Sequence, residues 1–120
     1  MGTRSHIGVV NSKGVIDVVH CQYDGYLSFT GKRLIDSHND LSLAKQLIKG
    51  GNMSVLGAYS EKGGKPMKYS TIHAYRRDIE NHFTDIEYFY LYVIDKKMMC
   101  KRGWWVSKGG VEWKFLSNEL

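Results

Sequence analysis

The chain is poor in proline and cysteine: 120 residues carry one proline and two cysteines, Cys21 and Cys100. Two distant cysteines give no disulfide framework, and both read as free thiols of a reducing compartment. No C-x-x-C or H-x-x-x-H pairing joins these cysteines to the five histidines, so no metal site and no cofactor is expected. No G-x-S-x-G signature marks a nucleophile. No apolar run approaches the ~18 residues that a membrane-spanning helix needs. Residues 1–10 lack the hydrophobic region of a secretory signal, and His6 stands where myristoylation requires Ser or Thr. The expectation is a protein that stays in the cell that makes it and binds no membrane.

What is present suits a folded chain. Apolar residues make up 42% and charged residues 24%, which excludes disorder for the chain as a whole. The length predicts a single domain over residues 1–120. The net charge of +5 is unevenly spread. Residues 60–77 carry five cations against Glu61, residues 78–95 carry five carboxylates and no Lys or Arg, and residues 96–114 carry six cations against Glu112. The last block, with Lys96, Lys97, Lys101 and Arg102, reads in two ways. It is either a docking face for nucleic acid or an acidic protein, or a solvated surface whose acidic and basic strands are neighbours.

Periodicity predicts the order β-β-α-α-β-β-β-β: a mostly antiparallel, twisted α+β sheet with two helices on one face. The first strands cover residues 4–11, with Ile7 and Val9 on one face, and residues 15–23, joined by a Ser12-Lys13-Gly14 turn. Residues 28–37 can be helical, with Leu34 and Ile35 inward, although Gly31 weakens the pattern. A second helix over residues 41–49 has Asp40 as N-cap, an apolar stripe of Leu41, Ala44, Leu47 and Ile48, and Gly50-Gly51 as its stop. A polar loop spans residues 57–70. Strands are then expected over residues 70–76 and 86–94, with an ambiguous link at 79–83. A turn follows at 95–97. One strand runs over 98–101 and 104–107, interrupted by Gly103, and a last one over 111–116 has Val111, Trp113 and Phe115 on one face.

The most unusual segment is residues 24–33, DGYLSFTGKR, between a strand and a helix. That context suits an anion site, with Lys32 adding charge. It is no Walker motif, because five residues separate Gly25 from Gly31 and Arg33 follows Lys32. A looser nucleotide or anion site, or a structural turn with Gly25 at an unusual backbone angle and Tyr26 packed, are the readings left. His20 and His73 read as sheet-face histidines, and Cys21 as a buried small hydrophobe. The aromatics from Tyr88 to Trp113, including Trp104 and Trp105, alternate with basic residues. They suit base stacking or, more commonly, core and cross-strand pairs.

Two stretches together carry a resemblance. Met1-Gly2-Thr3-Arg4-Ser5 opens the chain, and Gln22-Tyr23-Asp24-Gly25-Tyr26, with Ser28, Gly31 and Lys32, follows the second strand. This resembles a family of small proteins of bacteriophages and prophage regions, over residues 1–35 and again at 52–57. The chain departs from the family pattern at Leu27, where Pro is usual, and at Phe29, where Gly is common. The resemblance implies a phage accessory protein in the cytoplasm of an infected bacterium. It would act by binding and interfering with a host or defence protein, with a signalling nucleotide or nucleic acid as alternative targets. No catalytic residue is carried over. The candidate contact residues are Arg4, His20, Tyr23, Asp24, Tyr26, Lys32, Lys96, Lys97, Lys101, Arg102, Trp104 and Trp105.

Overall fold

The structure, a computed structural model, describes residues 3–60, 64–94 and 101–120. Strands β1 (Ser5–Val10) and β2 (Ile16–Cys21) form the expected antiparallel hairpin. Its turn is set by Asn11, whose side-chain oxygen accepts the N–H of Lys13 at 2.8 Å and of Val15 at 3.1 Å, with Gly14 at φ 81°. A π-helical turn (Leu27–Gly31) then leads into α1 (Lys32–Ser37). Helix α2 (Leu41–Lys49) starts where Asp40 accepts the N–H of Leu43 at 2.7 Å, and it buries Ala44, Leu47 and Ile48 as its stripe predicts.

Short strands β3 (Met53–Val55), β4 (Ala58–Tyr59) and β5 (Met67–Tyr69) follow. Then comes a helix where the sequence reading expects a strand, α3 (Ile72–His82). It replaces the strand expected over 70–76, so His73 is helical and exposed rather than on a sheet. The Thr71 hydroxyl caps it by accepting the N–H of Ala74 at 3.1 Å. Strands β6 (Tyr88–Val93), β7 (Gly103–Lys108) and β8 (Trp113–Phe115) complete the sheet, followed by a short 3₁₀ turn (Leu116–Asn118). Gly103 opens β7 rather than interrupting it, and Val111 lies outside β8, 80% exposed. The turn expected at 95–97, most of the strand at 98–101, and Cys100 fall outside the described residues, as do Glu61–Gly63 of the polar loop.

The sheet is mixed, in the order β4-β3-β2-β1-β6-β7-β8, with β5 also paired to β2. Most of the pairings are antiparallel, as expected, but the centre of the sheet is not: β1 pairs with β6 in parallel, Ser5 opposite Tyr88 through Val10 opposite Val93. A second parallel contact joins β2 to β3. The two expected helices share one face, and the unexpected α3 covers the other. On one face Ile7, Val9, Val19, Tyr92 and Trp104 meet Leu34 of α1 and Ala44, Leu47 and Ile48 of α2. On the other, Val10, Val18, Phe89, Leu91 and Trp105 meet Tyr75 and Ile79 of α3. Strand β1 is buried at all six positions, as a central strand covered on both sides must be. Among the described residues no helix is long and apolar enough to cross a membrane.

Candidate functional site

The loop 23–33 leaves the end of β2 with its backbone held at every turn. Tyr23 donates its N–H to the Ser54 carbonyl at 2.7 Å, which prolongs the β2–β3 contact. Asp24 then takes φ 57°, the one non-glycine left-handed residue among those described. Asp tolerates this region better than most residues, yet it remains sparsely populated. Gly25 is needed for a different reason from the one its sequence context suggests. Its φ is not positive; it is a glycine because a Cβ there would lie 2.6 Å from the Ser5 side chain and 2.9 Å from the Thr3 carbonyl. Gly25 donates its N–H to that Thr3 oxygen at 2.9 Å, and its own carbonyl accepts the buried Tyr90 hydroxyl at 2.7 Å. The Thr30 hydroxyl donates to the Asp24 carbonyl at 2.7 Å. The π-helical turn over Leu27–Gly31 follows directly, where a regular helix was expected. Such turns are rare and recur at functional sites.

This pinned backbone presents a mixed aromatic and cationic surface. Tyr23 is 47% exposed and Tyr26 39%, so Tyr26 is not the packed residue of the turn reading. Tyr26 lies 6.2 Å from the half-buried Phe29 ring, and the Arg33 guanidinium sits 4.3 Å above that ring. Lys32 and Arg33 are both exposed. Tyrosine and arginine are among the residue types that dominate protein–protein contact energy, and tyrosine, with two side-chain torsions, loses little entropy on docking.

Arg4 and His20 lie at the same end of the sheet but on its opposite face. Arg4 is ion-paired with Asp85, both exposed. His20 packs edge-on against His6 at 5.7 Å. His6, which the sequence does not distinguish from the other histidines, is fully buried. Its Nδ1 shares a 3.0 Å hydrogen bond with the Tyr75 hydroxyl, and its Nε2 has no partner. Burial drives the His6 pKa down to about 3, with the neighbouring His20 adding to the effect. His20 is lowered too, by burial and then by the Arg4 charge. Both rings are therefore neutral near neutral pH, and no group of three metal-binding side chains occurs among the described residues. Burial raises the Cys21 thiol to about 11, as for a small hydrophobe rather than a nucleophile.

The basic C-terminal candidates stand elsewhere. Lys96 and Lys97 lie outside the described residues. Lys101 and Arg102 are exposed just before β7, with the Lys101 ammonium 5.2 Å from the Phe115 ring. Gly103 pairs with Val93, whereas the loop 23–33 adjoins Ser5 and Tyr88, so the two groups occupy opposite ends of the strands, roughly 16 Å apart along the sheet. Trp104 and Trp105, 1% and 7% exposed, are core residues on opposite faces. Trp104 packs edge-on with Tyr92, and Trp105 with Phe115, so neither ring is open to stack a base or anchor a partner. The candidate set thus separates into the exposed loop, the corner formed by exposed Arg4 and half-buried His20, and a distant basic edge. Comparison with protein-family models, curated proteins and solved structures returned no match.

Proposed function

We propose that the chain is a binding protein whose contact surface is the loop 23–33, and that its partner is a protein of the cell in which it is made. The setting is that of a phage accessory protein interfering with a host or defence component in the bacterial cytoplasm, and the resemblance of residues 1–35 supports it. The observation that carries the reading is the combination of exposed Tyr23 and Tyr26 with a backbone fixed by the Asp24 conformation, the Gly25 wedge and the Tyr90–Gly25 hydrogen bond. A floppy aromatic loop would lose entropy on docking; this one is already ordered.

The test is retention of partners from bacterial lysate on the immobilised wild type and on a Tyr23→Ala/Tyr26→Ala variant, each with and without nuclease. A nuclease-resistant protein held by the wild type and lost by the variant is the expected result. Equal retention by both removes the loop from the contact. Retention that disappears with nuclease and with salt assigns the activity to nucleic acid instead, with a steep salt dependence of about 0.9 per phosphate neutralised on duplex DNA.

A further inference from the structure

On the α2 face, at the edge away from the loop 23–33, a cleft of about 520 Å³ lies between the C-terminal half of α2 and strand β5. Its apolar lining comes from Val9, Ile48 and Pro66. Four cations stand around it: Lys45 and Lys49 from the helix, Lys65 and Lys68 from the facing segment. Asp17 is the one carboxylate among the described lining residues, and Lys68 already occupies it at 3.6 Å. Among the described residues, Lys45, Lys49 and Lys65 have no ion pair and line one space.

Helix geometry explains part of this and not the rest. A C-terminal lysine on α2 is favoured by the helix dipole. Lys45 and Lys49 are nevertheless like charges one turn apart, which repel. The dipole also says nothing about Lys65 on the opposite wall. Asn11 adds a neutral donor. It lines the cleft, and with its side-chain oxygen committed to the Lys13 and Val15 N–H groups its amide N–H₂ is left to donate.

We infer that this cleft binds a small phosphorylated ligand with an apolar or aromatic body, the chemistry of a nucleoside diphosphate. Several lysines around one cleft match a multiply charged anion better than a single carboxylate, and lysine serves phosphate as a point charge. The volume lies in the range of small-ligand sites, and the Val9, Ile48 and Pro66 lining suits a body rather than a bare ion. The site shares no residue with the loop 23–33, so it stands or falls independently of the protein-binding reading.

The experiment is titration of the protein with ADP, adenosine and pyrophosphate, by calorimetry and by amide chemical shifts. ADP is expected to saturate the protein, pyrophosphate to bind more weakly and adenosine not to saturate. Shifts should centre on Val9, Asn11 and Ile48. Lys45→Ser/Lys49→Ser should weaken ADP at least about tenfold with an unchanged melting temperature, while Lys101→Ser/Arg102→Ser binds as the wild type does. Should the helix variant not fold, Lys65→Ser alone is expected to weaken ADP from the facing wall. The inference is overturned by no saturation with ADP, equal binding by the lysine variants, shifts centred on residues 23–33, or pyrophosphate binding as tightly as ADP. Displacement of ADP by a poly-glutamate peptide that binds more tightly would overturn it in favour of an acidic protein surface.

Discussion

His6 sits among Phe83, Phe89 and Tyr75, with ring centres at 4.6, 5.3 and 6.1 Å, and that burial ties stability to pH. The unfolded chain takes up a proton near the ordinary 6.5, the folded chain only near 3. Between those values the unfolded state binds more protons, so stability is full above the window and falls as pH drops through it. The loss from His6 alone should be about 2 kcal/mol between about pH 7 and pH 5, read from urea midpoints. His20 and His38, both lowered, act in the same direction. His6→Gln keeps a partner for the Tyr75 hydroxyl and should remove the His6 share of the slope; an unchanged slope would place the titration elsewhere. Gly25 offers a steric counterpart. Gly25→Ala forces a methyl against Ser5 and the Thr3 carbonyl and should cost about 1–3 kcal/mol. Adding Ser5→Gly removes the nearest of those atoms, so a double-mutant cycle should show recovery of part of that loss.

Among the elements, α2 was legible because two local signals agree: the Asp40 cap and a stripe with helical spacing. Leu47 is buried on that stripe, and Leu47→Ala should destabilise by roughly 2–5 kcal/mol in chemical denaturation, against under about half a kcal/mol for a solvent-facing position. Helix α3 reads as a strand from the sequence because Thr71, His73 and Tyr75 fall on alternate positions with β-favouring side chains among them, a period that holds for only one helical turn. The usable signal was Thr71 ahead of Ile72, Tyr75 and Ile79, spaced i, i+3, i+7. Thr71→Ala should therefore cost about 0.5–2 kcal/mol, a result that a strand at this position would not give. In the loop, residues 24–33 stood out by composition, but the division of labour between Asp24 and Gly25 depends on Thr3, Ser5 and Tyr90, which are remote in sequence. No local pattern carries it.

For the molecule as a whole, the parallel β1–β6 pairing was the part least open to sequence reading, since it joins segments with α1, α2 and α3 between them. The same long-range closure ties the C-terminal 3₁₀ turn to the loop. Leu116 is fully buried, and a Cβ on Gly31 would lie 3.3 Å from its side chain. Leu116→Ala should cost about 2–5 kcal/mol. It should also speed amide exchange over Leu27–Gly31 more than in β1, a difference absent if the two turns are independent. The central position of β1 has one more consequence, for synthesis. As the nascent chain leaves the ribosome, β1 can close on β2 at once and receive α2 soon after, yet its other edge has no neighbour until Tyr88–Val93 has emerged. For most of translation a strand whose Ile7, Val9 and Val10 are meant for the core therefore exposes an open row of hydrogen-bonding groups, the condition in which chains pair with the wrong neighbour. Slowing elongation after β2 has left the ribosome and before residues 88–93 have emerged should lower soluble yield, whereas slowing it before β1 has emerged should not.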